Sequence, residues 1–109
     1  MKLIFAIVQD DDALDLVESI NEAGFRVTKL ATTGGFLKAG NTTLIIGVEK
    51  EKVDEVLNII EKVCKTRNQI VTSPSPVAGS TGVYVPYPVE VEVGGATVFV
   101  VDVDKFLKF

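Results

Sequence analysis

Apolar residues occur along the chain in runs of two kinds, and the spacing inside each run predicts its form. Residues 2–9 hold an almost unbroken apolar stretch, Leu3-Ile4-Phe5-Ala6-Ile7-Val8, bounded by Gln9 and Asp10, which reads as a buried strand. A helix is predicted over 11–23, where Ala13, Leu16, Val17 and Ile20 recur at helical spacing and Gly24 ends the run. Residues 25–31, Phe25-Arg26-Val27-Thr28-Lys29-Leu30-Ala31, alternate with period two, as a half-buried strand does. A glycine-containing loop covers 32–41, and 42–48 is a further strand with Gly47 inside it. The clearest signal is a second helix, in which Val53, Val56, Leu57, Ile60, Val63 and Cys64 form one apolar stripe.

Residues 66–88 read as irregular, because Ser73-Pro74-Ser75-Pro76 and Ala78-Gly79-Ser80-Thr81-Gly82 are not expected to sit inside regular elements. Strict alternation returns at Val89-Glu90-Val91-Glu92-Val93, Gly94-Gly95 reads as a two-residue hairpin, 96–103 is a last strand, and 104–109 a short tail. The order is β-α-β-β-α-(loop)-β-β. Without the first arm of the hairpin it is βαββαβ, a ferredoxin-like α+β sandwich with a long second loop and an extra β-hairpin arm. No linker or repeat divides the chain, so 1–109 is read as one domain. Two helices cover one face of such a sheet. Its other face stays wet or is covered by further subunits, and a chain that is 47% hydrophobic favours the subunits.

Composition removes several function classes. There is no histidine, which takes away the commonest general acid/base and the commonest imidazole metal ligand. With a single cysteine, Cys64, neither a zinc site nor an intrachain disulfide is expected, and a reducing, cytoplasmic setting fits. The net charge of −4 argues against binding to nucleic-acid polymers. No apolar run approaches the ~18 residues of a membrane span, and the apolar N-terminus meets three aspartates rather than a cleavage site. The Walker pattern and the Gly-x-Gly-x-x-Gly fingerprint are absent.

Candidate chemistry gathers in the loop Ala31-Thr32-Thr33-Gly34-Gly35-Phe36-Leu37-Lys38-Ala39-Gly40-Asn41. Its glycines permit close backbone approach and anion-binding nests, its threonines and Asn41 supply hydrogen bonds, and Phe36 suits a planar heterocycle. The alternative is a turn with a hydrophobic plug. Arg26 and Thr28 share one strand face, where Arg26 offers a planar fork for phosphate or is simply solvated. Gly47 marks a close approach or a bulge. The segment 80–88, with Tyr84 and Tyr87, reads either as a lid or partner-contact loop or as a rigid connection. Asp10, Asp11 and Asp12 read as charges complementing a helix N-terminus rather than as a metal cluster. Cys64 reads as a small core residue.

Two long stretches carry a resemblance. Lys29 through Thr43, with the loop just described, and Tyr87 through Val100, Tyr87-Pro88-Val89-Glu90-Val91-Glu92-Val93-Gly94-Gly95-Ala96-Thr97-Val98-Phe99-Val100, closely resemble the cyclic di-AMP receptor family of P-II-like signal proteins. The opening Ala6-Ile7-Val8-Gln9-Asp10 fits as well, and the resemblance runs end to end. It implies a homotrimer that binds one cyclic di-AMP in each cleft between subunits and passes the signal to a downstream protein by loop rearrangement. It implies ligand contacts at Arg26, Thr28, Gly35, Phe36, Leu37 and Asn41, with Gly47 beside the cleft and Phe99 walling the base pocket. Some relatives have glutamine at position 108; Lys108 here either reaches a phosphate or points to solvent. The short first loop and long second loop argue against ATP and 2-oxoglutarate. No catalytic residue, metal or cofactor is expected. The alternatives from other classes are a P-II-like sensor of another nucleotide such as ATP, a phosphodiesterase, and an inert assembly subunit.

Overall fold

A computed structural model describes residues 1–30, 40–76 and 84–109, and the side chains of all of these except 71–76 and 84–87. The elements are β1 (Lys2–Gln9), α1 (Asp10–Glu22), β2 (Thr28–Leu30), β3 (Asn41–Val48), α2 (Val53–Cys64), β4 (Arg67–Pro76), β5 (Tyr84–Val93) and β6 (Ala96–Asp102). A single 3-10 turn, Lys50–Lys52, leads into α2. Four strands form one antiparallel sheet in the order β2-β3-β1-β6. Both helices lie on one face of it, the ferredoxin-like arrangement that the element order predicts. Among the described residues no helix is long and apolar enough to cross a membrane.

The core follows from strand alternation. On β1, Ile4, Ala6 and Val8 point to the helices, and on β3 Leu44, Ile46 and Val48 do the same; all six are at most 3% exposed. Leu16 and Ile20 of α1 and Val56, Ile60 and Cys64 of α2 close over them. Each large aliphatic side chain buried this way contributes roughly 1.5–3 kcal/mol relative to exposure. Burial, reinforced by the Asp12 charge and partly offset by Arg67, pushes the Cys64 thiol up to about 11, in keeping with its reading as a core residue.

Three expectations need correction. Among the described residues of the strand predicted over 25–31, pairing begins at Thr28 and covers Thr28–Leu30, because the Phe25 amide donates to the Ile20 carbonyl (3.1 Å) and holds the chain to the end of α1. The stretch 66–88 is not irregular throughout. β4 and β5 pair in register from Arg67↔Val93 to Pro76↔Tyr84, a two-stranded ribbon separate from the main sheet. Such a ribbon is all edge, and alternate backbone positions on each strand face away from the partner. Pro74 and Pro76 are two apart, as are Pro86 and Pro88, so each pair can present the same outward side where no amide is needed. Projection of this arm raises the radius of gyration to 18.8 Å, against about 13 Å for a compact chain of this length.

Gly94-Gly95 is likewise not a hairpin turn. β5 pairs with β4, while β6 pairs with β1, so the two glycines join the ribbon to the sheet. Both have positive φ, +86° and +93°, and a Cβ on Gly94 would lie 2.7 Å from the Lys65 carbonyl oxygen. The junction is tied at several points. The Gly94 amide donates to Gln9 Oε1 (2.8 Å), and the Gly95 amide to the Cys64 carbonyl. Arg67 donates to the Lys65 carbonyl (3.1 Å) and to the buried Asp12 carboxylate (2.7 Å).

Candidate functional site

The strand residues that do not face the helices point to a face that no element covers among the described residues. Register places Leu3 opposite Gly47 and Val101, Phe5 opposite Ile45 and Phe99, and Thr28 opposite Ile45. This face is apolar but open: Phe99 is 55% and Val101 42% exposed. At one end of it lies a cleft of about 630 Å³, within the ~300–1,000 Å³ usual for small-molecule sites. Its floor is Leu3, Ile45 and Gly47 from β1 and β3. Gly24, Phe25, Arg26 and Thr28, on the run from α1 into β2, form one side. Met1, Val103 and Phe106, the two chain ends, complete the lining. The Val103 amide donates to the Met1 carbonyl (3.2 Å), which pins the start of the tail beside the cleft.

Of the residues singled out in the sequence, Arg26, Thr28 and Gly47 come together here. Arg26 brings a guanidinium to a mostly apolar hollow, suited to a phosphate oxygen pair. Gly47 has no positive φ, and a Cβ there would meet Met1 Cε at 3.8 Å and Leu3 Cδ1 at 4.0 Å, ordinary contacts. The fold therefore does not require glycine at this position, and its effect is to leave the cleft floor open.

Asn41, Phe99 and Lys108 do not line this cleft. Asn41 pairs with Gln9 at the other end of β3 from Gly47, about 20 Å away at ~3.4 Å per residue. Phe99 faces the bare side next to Phe5. Lys108 lies exposed in the tail, where Phe106 is the residue that reaches the cleft. Gly35, Phe36 and Leu37 lie outside the described residues. The end of their loop is anchored to the start of α1, since the Asp10 amide donates to the Gly40 carbonyl (2.8 Å) and the Thr42 hydroxyl to the Asp10 carboxylate.

Sequence reasoning missed Phe25 and Phe106 as lining, and Gln9, Asp12 and Arg67 as ties of the ribbon. The tail did carry a signal: Phe106, Leu107 and Phe109 are large apolar residues, all more than 60% exposed, in a segment without secondary structure. Asp12 carried none, because an aspartate in the first turn of a helix already has a sufficient local reason.

A second cavity, about 420 Å³, lies between α2 and β6 against Leu57, Ile60, Cys64 and Val98, with Glu61 and Lys65 as its charged lining. None of the predicted site residues is there. Among the described residues no group of three or more His, Cys, Asp or Glu side chains could hold a metal ion.

With this geometry in place, the chain can be set beside known proteins. It is 37% identical over 81 residues to a nitrogen fixation nifHD region GlnB-like protein 1 of Methanothermococcus thermolithotrophicus, covering 62% of this chain and 77% of that protein. The crystal structure of a functionally unknown protein from Pediococcus pentosaceus superposes with a TM-score of 0.78 at 48% identity, covering 99% of this chain and 96% of that one. The sequence pattern of the cyclic-di-AMP receptors matches residues 1–109. The P-II-like fold, the end-to-end match and the earlier resemblance agree, and the chain belongs to the cyclic-di-AMP receptor family.

Proposed function

We propose that this protein is a non-enzymatic receptor that binds cyclic di-AMP in clefts between the subunits of a homotrimer and relays the signal to a protein partner in the cytoplasm. The observation that carries the reading is the cleft, which joins Arg26, Thr28 and the open floor at Gly47 in a chain whose full length matches the receptor family. A cyclic dinucleotide has two phosphodiester charges and two flat bases. Arg26 meets a phosphate, Thr28 reads a polar edge, and the apolar floor takes a base face.

The trimer is supported by the uncovered sheet face, since apolar residues such as Phe99 and Val101 gain from burial against another copy. It is also supported by the distance between Asn41 and Gly47, which is long for one small ligand to bridge within a single chain. In this reading the loops around 32–42 and 66–95, of which 32–39 and 77–83 lie outside the described residues, rearrange on binding and pass the signal to the partner. The chain has no histidine to act as general acid or base, and a receptor needs no hydrolytic group.

Calorimetric titration with cyclic di-AMP tests the reading, with cyclic di-GMP and ATP as controls. Saturable, selective binding at one ligand per subunit is expected, weakened in Arg26→Ala and in Phe36→Ala. The GlnB-like relative favours a second reading, a P-II-like sensor of another nucleotide such as ATP. Heat with ATP and none with cyclic di-AMP would select it.

A further inference from the structure

We propose that Phe106, in the tail after β6, is an aromatic wall of the ligand cleft and lies against a purine base of the bound cyclic dinucleotide. The inference rests on the receptor reading above and adds to it a base-recognition residue.

Phe106 comes from the far end of the chain, yet it lines the same cleft as Arg26, Thr28 and Gly47. The tail reaches the cleft because the Val103 amide is bonded to the Met1 carbonyl, so the chain leaves the sheet at the rim. The ring is 65% exposed, so packing within this chain does not account for it. A large apolar ring on the wall of an open cavity of about 630 Å³ gains contact area when a flat ligand enters. The rest of the lining divides by chemistry. Among the described lining residues Arg26 is the one charged side chain, with the Met1 amino terminus a second cation, Thr28 the one hydroxyl, and Leu3 and Ile45 make an apolar floor. That division suits a purine against Phe106 and a phosphodiester at Arg26. Leu107 and Phe109 are at least as exposed but do not line the cleft, so they serve as internal controls.

The chain has no tryptophan, so Phe106→Trp carries a single indole at the proposed contact, excited selectively over the two tyrosines. Titration of this full-length variant with cyclic di-AMP is expected to quench its emission, saturating where calorimetry shows binding. Phe109→Trp is expected to respond little. Phe106→Ala should weaken binding about tenfold or more, the scale of an aromatic–base stack, and Phe106→Tyr should restore most of it. If Phe106→Ala binds as the native chain does and Phe106→Trp stays unquenched, the inference fails while the receptor reading stands. If Phe106→Ala loses both binding and assembly by analytical ultracentrifugation, and Phe106→Trp is unquenched, the residue belongs to subunit packing and the inference is overturned. If the native chain itself gives no heat with cyclic di-AMP, the receptor reading and this inference fall together.

Discussion

The two faces of the four-stranded sheet are built from the same strands and differ by a one-residue step. Ile4, Ala6, Leu44 and Ile46 are 0% exposed beneath the helices. Their neighbours Leu3, Phe5 and Ile45 are only half-buried, and Phe99 is 55% exposed. Composition does not separate the two sets, since both are dominated by aliphatic and aromatic side chains. What separates them is that both helices cross on the same side. The first set supplies folding energy within one chain. The second leaves its apolar area exposed in the single chain, where the proposed ligand and further copies of the chain would cover it.

The sharpest way to break this comparison is to truncate one residue on each face. Leu44→Ala should cost about 2–5 kcal/mol in denaturant unfolding, because the cavity it leaves is sealed. Phe99→Ala should change the stability of the isolated chain by about 0.5 kcal/mol or less while weakening self-association in analytical ultracentrifugation. An equal loss from both variants would show that the bare face is part of the folding core.

A smaller loss is expected at the root of the ribbon. Arg67→Ala leaves the Asp12 carboxylate, 6% exposed, without its partner, so the denaturation midpoint should fall. Hydrogen exchange should quicken at the Gly94 and Gly95 amides, which bond to Gln9 and Cys64 on the sheet side of the junction. An unchanged exchange pattern would mean that the backbone bonds alone hold the junction.

Cys64 gives a test by pH. Its thiol is pushed up to about 11 from 9.0, chiefly by burial. The unfolded chain therefore releases this proton first as pH rises. The contribution is fully present below pH 9 and is lost between 9 and about 11, and Cys64→Ala should flatten that part of the stability profile. On the acid side, the exposed Lys2–Asp102 pair lowers the Asp102 pKa below its usual 3.8. Its contribution holds above that value and fades as pH falls through the lowered one, and Asp102→Asn should have the smallest effect of the ion-pair variants.

Gly47 sharpens the comparison from the ligand side. Its backbone is compatible with a side chain and a Cβ would meet only ordinary contacts, so Gly47→Ala should leave stability unchanged or raise it by up to about 1 kcal/mol. A bulkier Gly47→Val should abolish cyclic di-AMP binding with the fold intact. Retained binding would remove Gly47 from the site.

The sequence by itself determined both helices and the strands other than β4, in their order along the chain. Those depend on local spacing, with period 3.6 in Val53 to Cys64 and alternation in the strands. It also marked Arg26, Thr28 and Gly47, through charge, shared strand face and the missing side chain. The pairing partner of β5 was decided by the tertiary structure. Val89 to Val93 alternates in the same way whether it pairs with β4 or β6, and Gly94-Gly95 serves a turn or a junction equally well. The place of Phe106 was likewise beyond local pattern, because it depends on the register of β6 against β1 and on the bond from Val103 to Met1. Spacing along a chain reports which side of an element a residue takes. Only the closure of distant segments on one another decides which residues share a cleft.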